Sequence, residues 1–453
     1  MSGCPVSVQP MSHFHKVLVN TVVANTATAF LWFGWVFWVY LQTRSVLLNA
    51  VIGGSYMALL SVGSLAFGVI VDRLKKKHVM VLSSVITTAA YLCGGLLFAV
   101  LPAEAILDLG GPWFWLVGGL ILGGAVVENM RNIALSTTVT LLVPEEQRDK
   151  ANGLVGAAQG FAFLVTSVFA GLAVGFLGIH WTLWLSVAAT AVALIHLVWV
   201  AIPEEGVQRD PDAAHKVIDL AGSLRAIRGV PGLMALIWFS CFNNFIGGVF
   251  MALLDPYGLT MFSVQVWGVV LGVTSVGFIV GGLVVARRGL GANPLRTLLG
   301  VNVILSAGTI AFVLREWPWL FVVGIFGYMC LVPAAEAAEQ TIIQRVVPLK
   351  RQGRVFGFAM AVETAATPLS TIAMGPIAEF WLIPWVDSPA GEATWGWLLG
   401  PGDARGIALV FILSGALLLV VALLAFRTKA YARLSQAYAE GVPPEREVPA
   451  SLP

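Results

Sequence analysis

Five ionisable side chains interrupt long apolar runs of this 453-residue chain: Glu128 and Arg131, Glu336 and Glu339, and Glu363. A charge at the centre of a bilayer costs about 2.5–3.5 kcal/mol on insertion scales, so each of them needs a reason. Both pairs are spaced i,i+3, which on a helix sets two side chains on one face about one turn apart. Glu128 and Arg131 carry opposite charges and can neutralise each other as a buried ion pair. Equally, Arg131 can hold Glu128 poised for a proton, or one of the two can meet a charged ligand. Glu336 and Glu339 have no basic neighbour in sequence, and two carboxylates a turn apart cannot both ionise cheaply in a low dielectric. One of them should bind a proton near neutral pH unless a cation or Arg131 compensates it. Glu363 can complete an acidic cluster at the same depth or bond a neighbouring helix.

The elements that must position these groups follow from composition. Hydrophobic residues make up 58% of the chain and charged residues 11%, against about 25% charged in ordinary soluble domains. A soluble core cannot absorb that much apolar surface, so the surrounding solvent must be lipid. Twelve runs are long enough to cross it, beginning near Val17, Val46, Val79, Pro112, Gly153, His180, Met234, Val264, Leu298, Trp317, Val355 and Ile407. The expected class is therefore an all-α membrane protein. Its longest internal hydrophilic stretch, residues 203–232, follows the sixth run and separates two six-helix bundles, 1–202 and 233–427, with a tail at 428–453. Within that linker Val217, Leu220, Ala221, Leu224 and Ile227 recur at helical spacing and predict an amphipathic helix.

Charge placement orients the runs. With the N-terminus inside, 22 of the 26 Lys and Arg residues fall on the cytoplasmic side, which predicts both termini there and a plasma-membrane location. Trp32, Trp35, Trp38 and Tyr40 cluster at the outer end of the first run, where an aromatic belt is expected. The net charge of +2 gives no reason to expect nucleic acid. Cys4, Cys93, Cys241 and Cys330 show no metal-ligand spacing, and no metal or cofactor is expected. No cleavable signal is visible at the start, and no P-loop, H-E-x-x-H or G-x-S-x-G occurs, so neither ATP-driven chemistry nor an enzyme is expected.

The two halves are related. "LLVPEEQRDKANGL" and "RVVPLKRQGRVFGF" share a Val-Pro, a charged turn and a Gly nine residues after the Pro, Pro144 with Gly153 and Pro348 with Gly357. Each lies between the fourth and fifth runs of its own half, the internal symmetry of transporters whose site sits between repeats. Aligned this way, Glu336 falls opposite Asn132 and Glu339 opposite Leu135, so the acidic pair belongs to one half alone.

In "FGVIVDRLKKKH", Gly68, Asp72, Arg73, Lys76 and Lys77 resemble the G-x-x-x-D-R-x-G-[RK]-[RK] signature of the major facilitator superfamily, which lies between that family's second and third spans. Lys75 stands where the family usually has Gly. The matching loop of the second half, "GGLVVARRGLG", places Ala286 where Asp72 would fall. "LVPEEQRDKANGL", "QRVVPLKRQGRVFGF" and "TPLSTIAMGPIAE" resemble the macrolide-efflux-type branch of drug:proton antiporters, although the Gly-Pro motif of the fifth span is missing and a Gly375-Pro376 pair sits in the eleventh. Arg131 resembles the basic residue of the family's R-x-x-Q-G motif, with Ala134 and Leu135 in place of Gln and Gly.

The resemblance implies two bundles rocking about a midplane cavity that carries a small hydrophobic or cationic molecule. It further implies efflux by proton antiport, with Glu128, Glu336, Glu339 and Glu363 as coupling acids and Arg131 tuning them. Spans one and seven line the family's cavity, which makes Asn20, Asn25, Asn243 and Asn244 candidate substrate contacts; interhelical bonding is the other use of such amides. Trp32 and Trp35 offer an aromatic wall or an interfacial anchor. Asp72 and Arg73 should latch the cytoplasmic ends of spans two and eleven, with Asp72 favoured by the dipole of a helix starting near Arg354. The partners implied are a small-molecule substrate, protons and the lipid bilayer, with the chain acting as a monomer. Two alternatives stay open: proton-coupled uptake, and a scaffold or sensor that moves nothing.

Overall fold

The computed structural model describes residues 9–43, 46–204, 219–386, 388–399 and 405–441, and no strand occurs among them. The first half contains α1 (Gln9–Thr43), α2 (Val46–Arg73), α3 (Lys76–Val100), the short α4 (Ala103–Leu107), α5 (Pro112–Leu142) and α6 (Arg148–Trp199). The connecting α7 (Leu220–Arg228) leads to α8 (Leu233–Met261), α9 (Val264–Arg288), α10 (Pro294–Val313), α11 (Pro318–Val346) and α12 (Leu349–Ile377). Short helices α13 (Ile383–Val386) and α14 (Pro389–Leu399) precede α15 (Arg405–Ala425) and α16 (Lys429–Glu440). Eleven stretches among the described residues are long and apolar enough to span a membrane. The other crossing is the part of α6 before Gly178, whose φ of 79° turns the chain between two spans. Helices suit this setting because every interior backbone group is satisfied within its own segment.

Local chemistry sets the ends. Asp219, Ser263, Asn293 and Thr428 accept a backbone N–H from the first turn of α7, α9, α10 and α16. Prolines at the first turns of α5, α10 and α11 fill positions that need no donor. The repeat seen in sequence is equally visible in the breaks after α5 and α11, where Val143 and Val347 cap and a proline follows. Arg148 reaches back to the carbonyls of Thr140 (3.2 Å) and Val143 (3.4 Å), and Gln352 to those of Gln344 (3.0 Å) and Val347 (2.8 Å). Different side chains thus make the same eight-back and five-back bonds in each half.

The halves pack reciprocally: α2 crosses α12 and α6 crosses α9. These crossings lie at the end of the bundle where the Lys- and Arg-rich loops sit, here termed the basic end. One apolar core there draws on both halves, with Val71, Met130 and Ala151 joined to Val285, Ile342 and Val355. At the opposite end each half keeps its own core, one around Trp35 and Phe114 and the other around Tyr257 and Phe411. The halves are therefore fused at the basic end and separate at the other.

Two expectations change. Trp35 and Trp38 are buried rather than interfacial: Trp35 packs on Phe114 at 6.0 Å and Trp38 on Phe98 at 5.3 Å. Their i,i+3 spacing turns both toward α3 and α5, where Gly118 leaves room for the Trp35 ring. The linker helix exists, but its buried face is Gly222, Ser223, Ala226 and Ile227, while Leu220 and Ala221 point outward. Ile227 is buried as the spacing predicts, with the small residues Gly222, Ser223 and Ala226 beside it, and the helix packs on α12. Val217 lies outside the described residues.

Candidate functional site

Between the halves lies a two-lobed cavity. The lobe of ≈ 470 Å³ on the second-half side is lined by α5, α6, α8, α11 and α12, and a second of ≈ 390 Å³ opens among α1, α2, α5 and α6. They share Asn129, Asn132, Leu135, Val155 and Gln159, so they form one continuous space.

The acids gather in the larger lobe. Glu336, Glu339 and Glu363 all line it, together with Asn243 and Asn244. The spacing of Glu336 and Glu339 makes them neighbours on α11, and Glu339, which accepts the Ser240 hydroxyl at 2.7 Å, also lies beside Glu363 of α12. Glu363 leaves Oε1 without a partner, and Glu336 is open to the cavity. Among the described residues lining either lobe there is no Lys, Arg or His. The carboxylic acids are thus the only charge-bearing side chains among Asp, Glu, Lys, Arg and His on the lobe's described lining, an arrangement that favours protons or positive charge.

The smaller lobe is more apolar, with Trp32, Phe33, Phe163 and Tyr56 on its wall. Trp32 stacks on Tyr56 at 4.7 Å. A chain of amides continues from there: Asn129 donates to the Tyr56 hydroxyl (3.2 Å), Asn132 to Asn129 (3.3 Å) and Asn25 to Asn132 (2.7 Å). Asn129, Asn132, Tyr56 and Gln159 were not picked out from sequence. The amides at i,i+3 beside Glu128 were the available signal, since intramembrane amides carry the same cost argument as charges.

Three candidates prove to lie elsewhere. Arg131 is fully buried among α1, α3 and α5: Nε donates to Glu128 at 2.5 Å, Nη1 to Asn20 at 2.6 Å and Nη2 to the Ser84 hydroxyl. Glu128 is completed by Ser83 at 3.1 Å, and Asn20 donates to the Ala193 carbonyl at 2.7 Å beside His196. The guanidinium is thereby committed to the first half and does not tune the acids of the second; Asn20 is a strut rather than a substrate contact. Trp35 belongs to the core, not to the cavity wall. Removing one partner of such a buried pair costs about 3–5 kcal/mol. Arg131→Met is accordingly expected to lower the thermal midpoint and the yield of monodisperse protein, which a fluorescence-detected melting curve reads. An unchanged melt would show that the pair carries no structural weight.

The signature loop divides its labour. Asp72, only 4% exposed, accepts the backbone N–H groups of Gly353 (2.7 Å) and Arg354 (3.1 Å) and the Arg354 Nε (3.0 Å). Arg354 is also 3.7 Å from Asp219. The receiving helix starts at Leu349, a turn earlier than the sequence reading places it, so Asp72 engages its second turn by direct bonds rather than through the dipole alone. Lys76 and Lys77 stay within the first half, Lys76 on the Val71 carbonyl and Glu204, and Lys77 on the Val198 carbonyl. Arg73, the last residue of α2, is half-buried beside them. Backbones touch at this crossing: a Cβ on Gly68 would lie 2.5 Å from the Gly353 carbonyl, and one on Gly357 2.4 Å from that of Ser64. Of the outer acids, Asp255 accepts the Trp267 indole N–H at 2.9 Å, and the Glu379 side chain lies outside the described residues.

Comparison with known proteins is consistent with this architecture. A family model described as Major Facilitator Superfamily matches residues 17–371. Macrolide efflux protein A of Streptococcus pyogenes is 22% identical over 374 residues, covering 81% of this chain and 89% of that protein. The protein of the same name from Enterococcus faecalis is 23% identical over 312 residues, 67% and 93% of the two chains. The crystal structure of the human organic anion transporter MFSD10 superposes with a TM-score of 0.67 at 14% identity, over 94% of this chain and 99% of that one, a likeness of fold. With two six-span halves around one cavity and a family match over most of its length, the chain belongs to the Major Facilitator Superfamily and is a multi-pass membrane transporter, not an enzyme.

Proposed function

We propose that this transporter exports a bulky hydrophobic cation in exchange for protons, with the basic end facing the cytoplasm. The observation that carries the reading is the cluster of Glu336, Glu339 and Glu363 in a cavity whose described lining holds no basic residue. A proton and a cationic group compete for the same carboxylates, so loading one releases the other. The lobes are of drug-sized volume, and the aromatic lobe suits the apolar body of a ligand whose charged end meets the acids. The two relatives named macrolide efflux protein A support the export direction and an organic substrate of some bulk. Asp72 would hold the basic end shut in the outward-facing state and let go as the cavity turns inward.

Purified protein in liposomes tests this with tetraphenylphosphonium as the probe. For molecules oriented as proposed, an inward proton gradient should drive the probe out. Movement of the probe with the proton gradient would make the protein a symporter, and no gradient-dependent flux would remove the coupling role of the acids.

A further inference from the structure

The second-half copy of the signature loop lacks its acid, since Ala286 stands in the place of Asp72. The structure nevertheless has an acid at that crossing, on the other partner. Asp149, in the first turn of α6, accepts the backbone N–H of Leu290 at 2.8 Å, just past the end of α9. In the repeat alignment Asp149 corresponds to Gly353, the residue whose N–H Asp72 receives. We infer that Asp149 is a second gating residue, latching α6 to the α9 exit with donor and acceptor exchanged relative to the Asp72 latch.

A shift in register explains the exchange. In the first crossing Gly353 meets Asp72, and a Cβ there would lie 2.5 Å from the carboxylate. In the second it is Gly153 that abuts Ala286, its Cβ position 2.5 Å from the Ala286 nitrogen. Gly357, the counterpart of Gly153, abuts Ser64 and Gly68 instead, so α6 sits between one and two turns further along α9 than α12 does along α2. An acid at position 286 would therefore face helix backbone, whereas position 149 reaches the turn beyond α9. That turn is built to receive it: Gly289 has a φ of +72°, and a Cβ on it would lie 2.4 Å from Asp149 Oδ2. Only glycine both adopts this conformation cheaply and leaves the Leu290 N–H open to the carboxylate. Asp149 is half-buried where Asp72 is enclosed, so the second latch is the weaker of the two.

The test uses full-length protein with its native cysteines replaced by serine and a reporter Ile343→Cys, a position 1% exposed on the closed side of the cavity. Opening of the basic end is expected to raise its rate of labelling by a maleimide, and the readout requires neither substrate nor proton gradient. It stays valid if the cation-export reading fails. Asp149→Asn is expected to raise the labelling rate roughly tenfold, the scale of one charge-assisted hydrogen bond at a partly exposed site. Gly289→Ala should do the same by blocking the approach, and Asp149→Glu should restore most of the protection. Labelling unchanged by Asp149→Asn, in a preparation where Asp72→Asn accelerates it, would overturn the assignment.

Discussion

The double substitution Glu339→Gln with Glu363→Gln is expected to abolish proton-driven flux while leaving a folded, monodisperse protein. Both side chains keep their size and hydrogen-bonding reach, but neither can bind and release a proton or carry the negative charge that would meet a cation. Glutamine introduces no new buried charge, which is why the fold is expected to survive. Glu336→Gln alone should weaken cation binding without removing coupling, because Glu336 faces the cavity beside the pair and not within it. Flux in liposomes under an imposed pH gradient, measured beside passive counterflow at equal pH, separates the two effects. Gradient-driven transport at wild-type rates in the double variant would mean that the cluster serves packing and that coupling lies elsewhere.

Gly68→Val is the second large effect, and it works through the closed crossing of α2 and α12. The added Cβ would lie 2.5 Å from the Gly353 carbonyl and 2.9 Å from the Arg354 Cα, backbone atoms that cannot rotate away. Overpacking of this kind costs about 1–3 kcal/mol. Spent on one state of a two-state cycle, that shifts its population about 5- to 150-fold. The protein should rest with its basic end open, and transport should slow by a comparable factor. Asp72→Asn acts in the same direction by electrostatics, since it removes the direct ion pair between Asp72 and the buried Arg354 guanidinium. Insertion and melting behaviour of the Asp72→Asn variant should change little, because the interaction joins halves that must separate anyway. Maleimide labelling of Ile343→Cys reads both variants, and normal flux with normal protection in either would remove the latch from the cycle.

How far the sequence alone reached depended on whether the relevant neighbours lie on the same helix. Hydropathy and charge placement gave the twelve crossings and the two halves because those are properties of continuous segments. Gly68 and Asp72 marked the crossing, yet the partners Gly353 and Arg354 lie far away in sequence, and no spacing rule connects them. The same limit governs the acids: Glu336 and Glu339 could be paired by their i,i+3 interval, whereas Glu363 joins them from another helix, which no spacing rule fixes. Arg131 was legible as an ion-pair partner of Glu128, but its bonds to Asn20 and Ser84, which confine it to the first half, were not. Trp35 and Trp38 were misread because a cluster of indoles near a helix end has the same composition whether it meets lipid headgroups or a helix interface. The degenerate loop at Ala286 read as a loss, and only the offset between the two crossings reveals the acid on the opposite partner.

Proton release on ligand binding tests the competition at the heart of this account most directly. Adding tetraphenylphosphonium to the solubilised protein in weakly buffered solution near neutral pH should release protons in proportion to the ligand bound, and the release should disappear in the Glu339→Gln, Glu363→Gln double variant. Saturable binding of the cation with no proton released from the wild-type protein would contradict it.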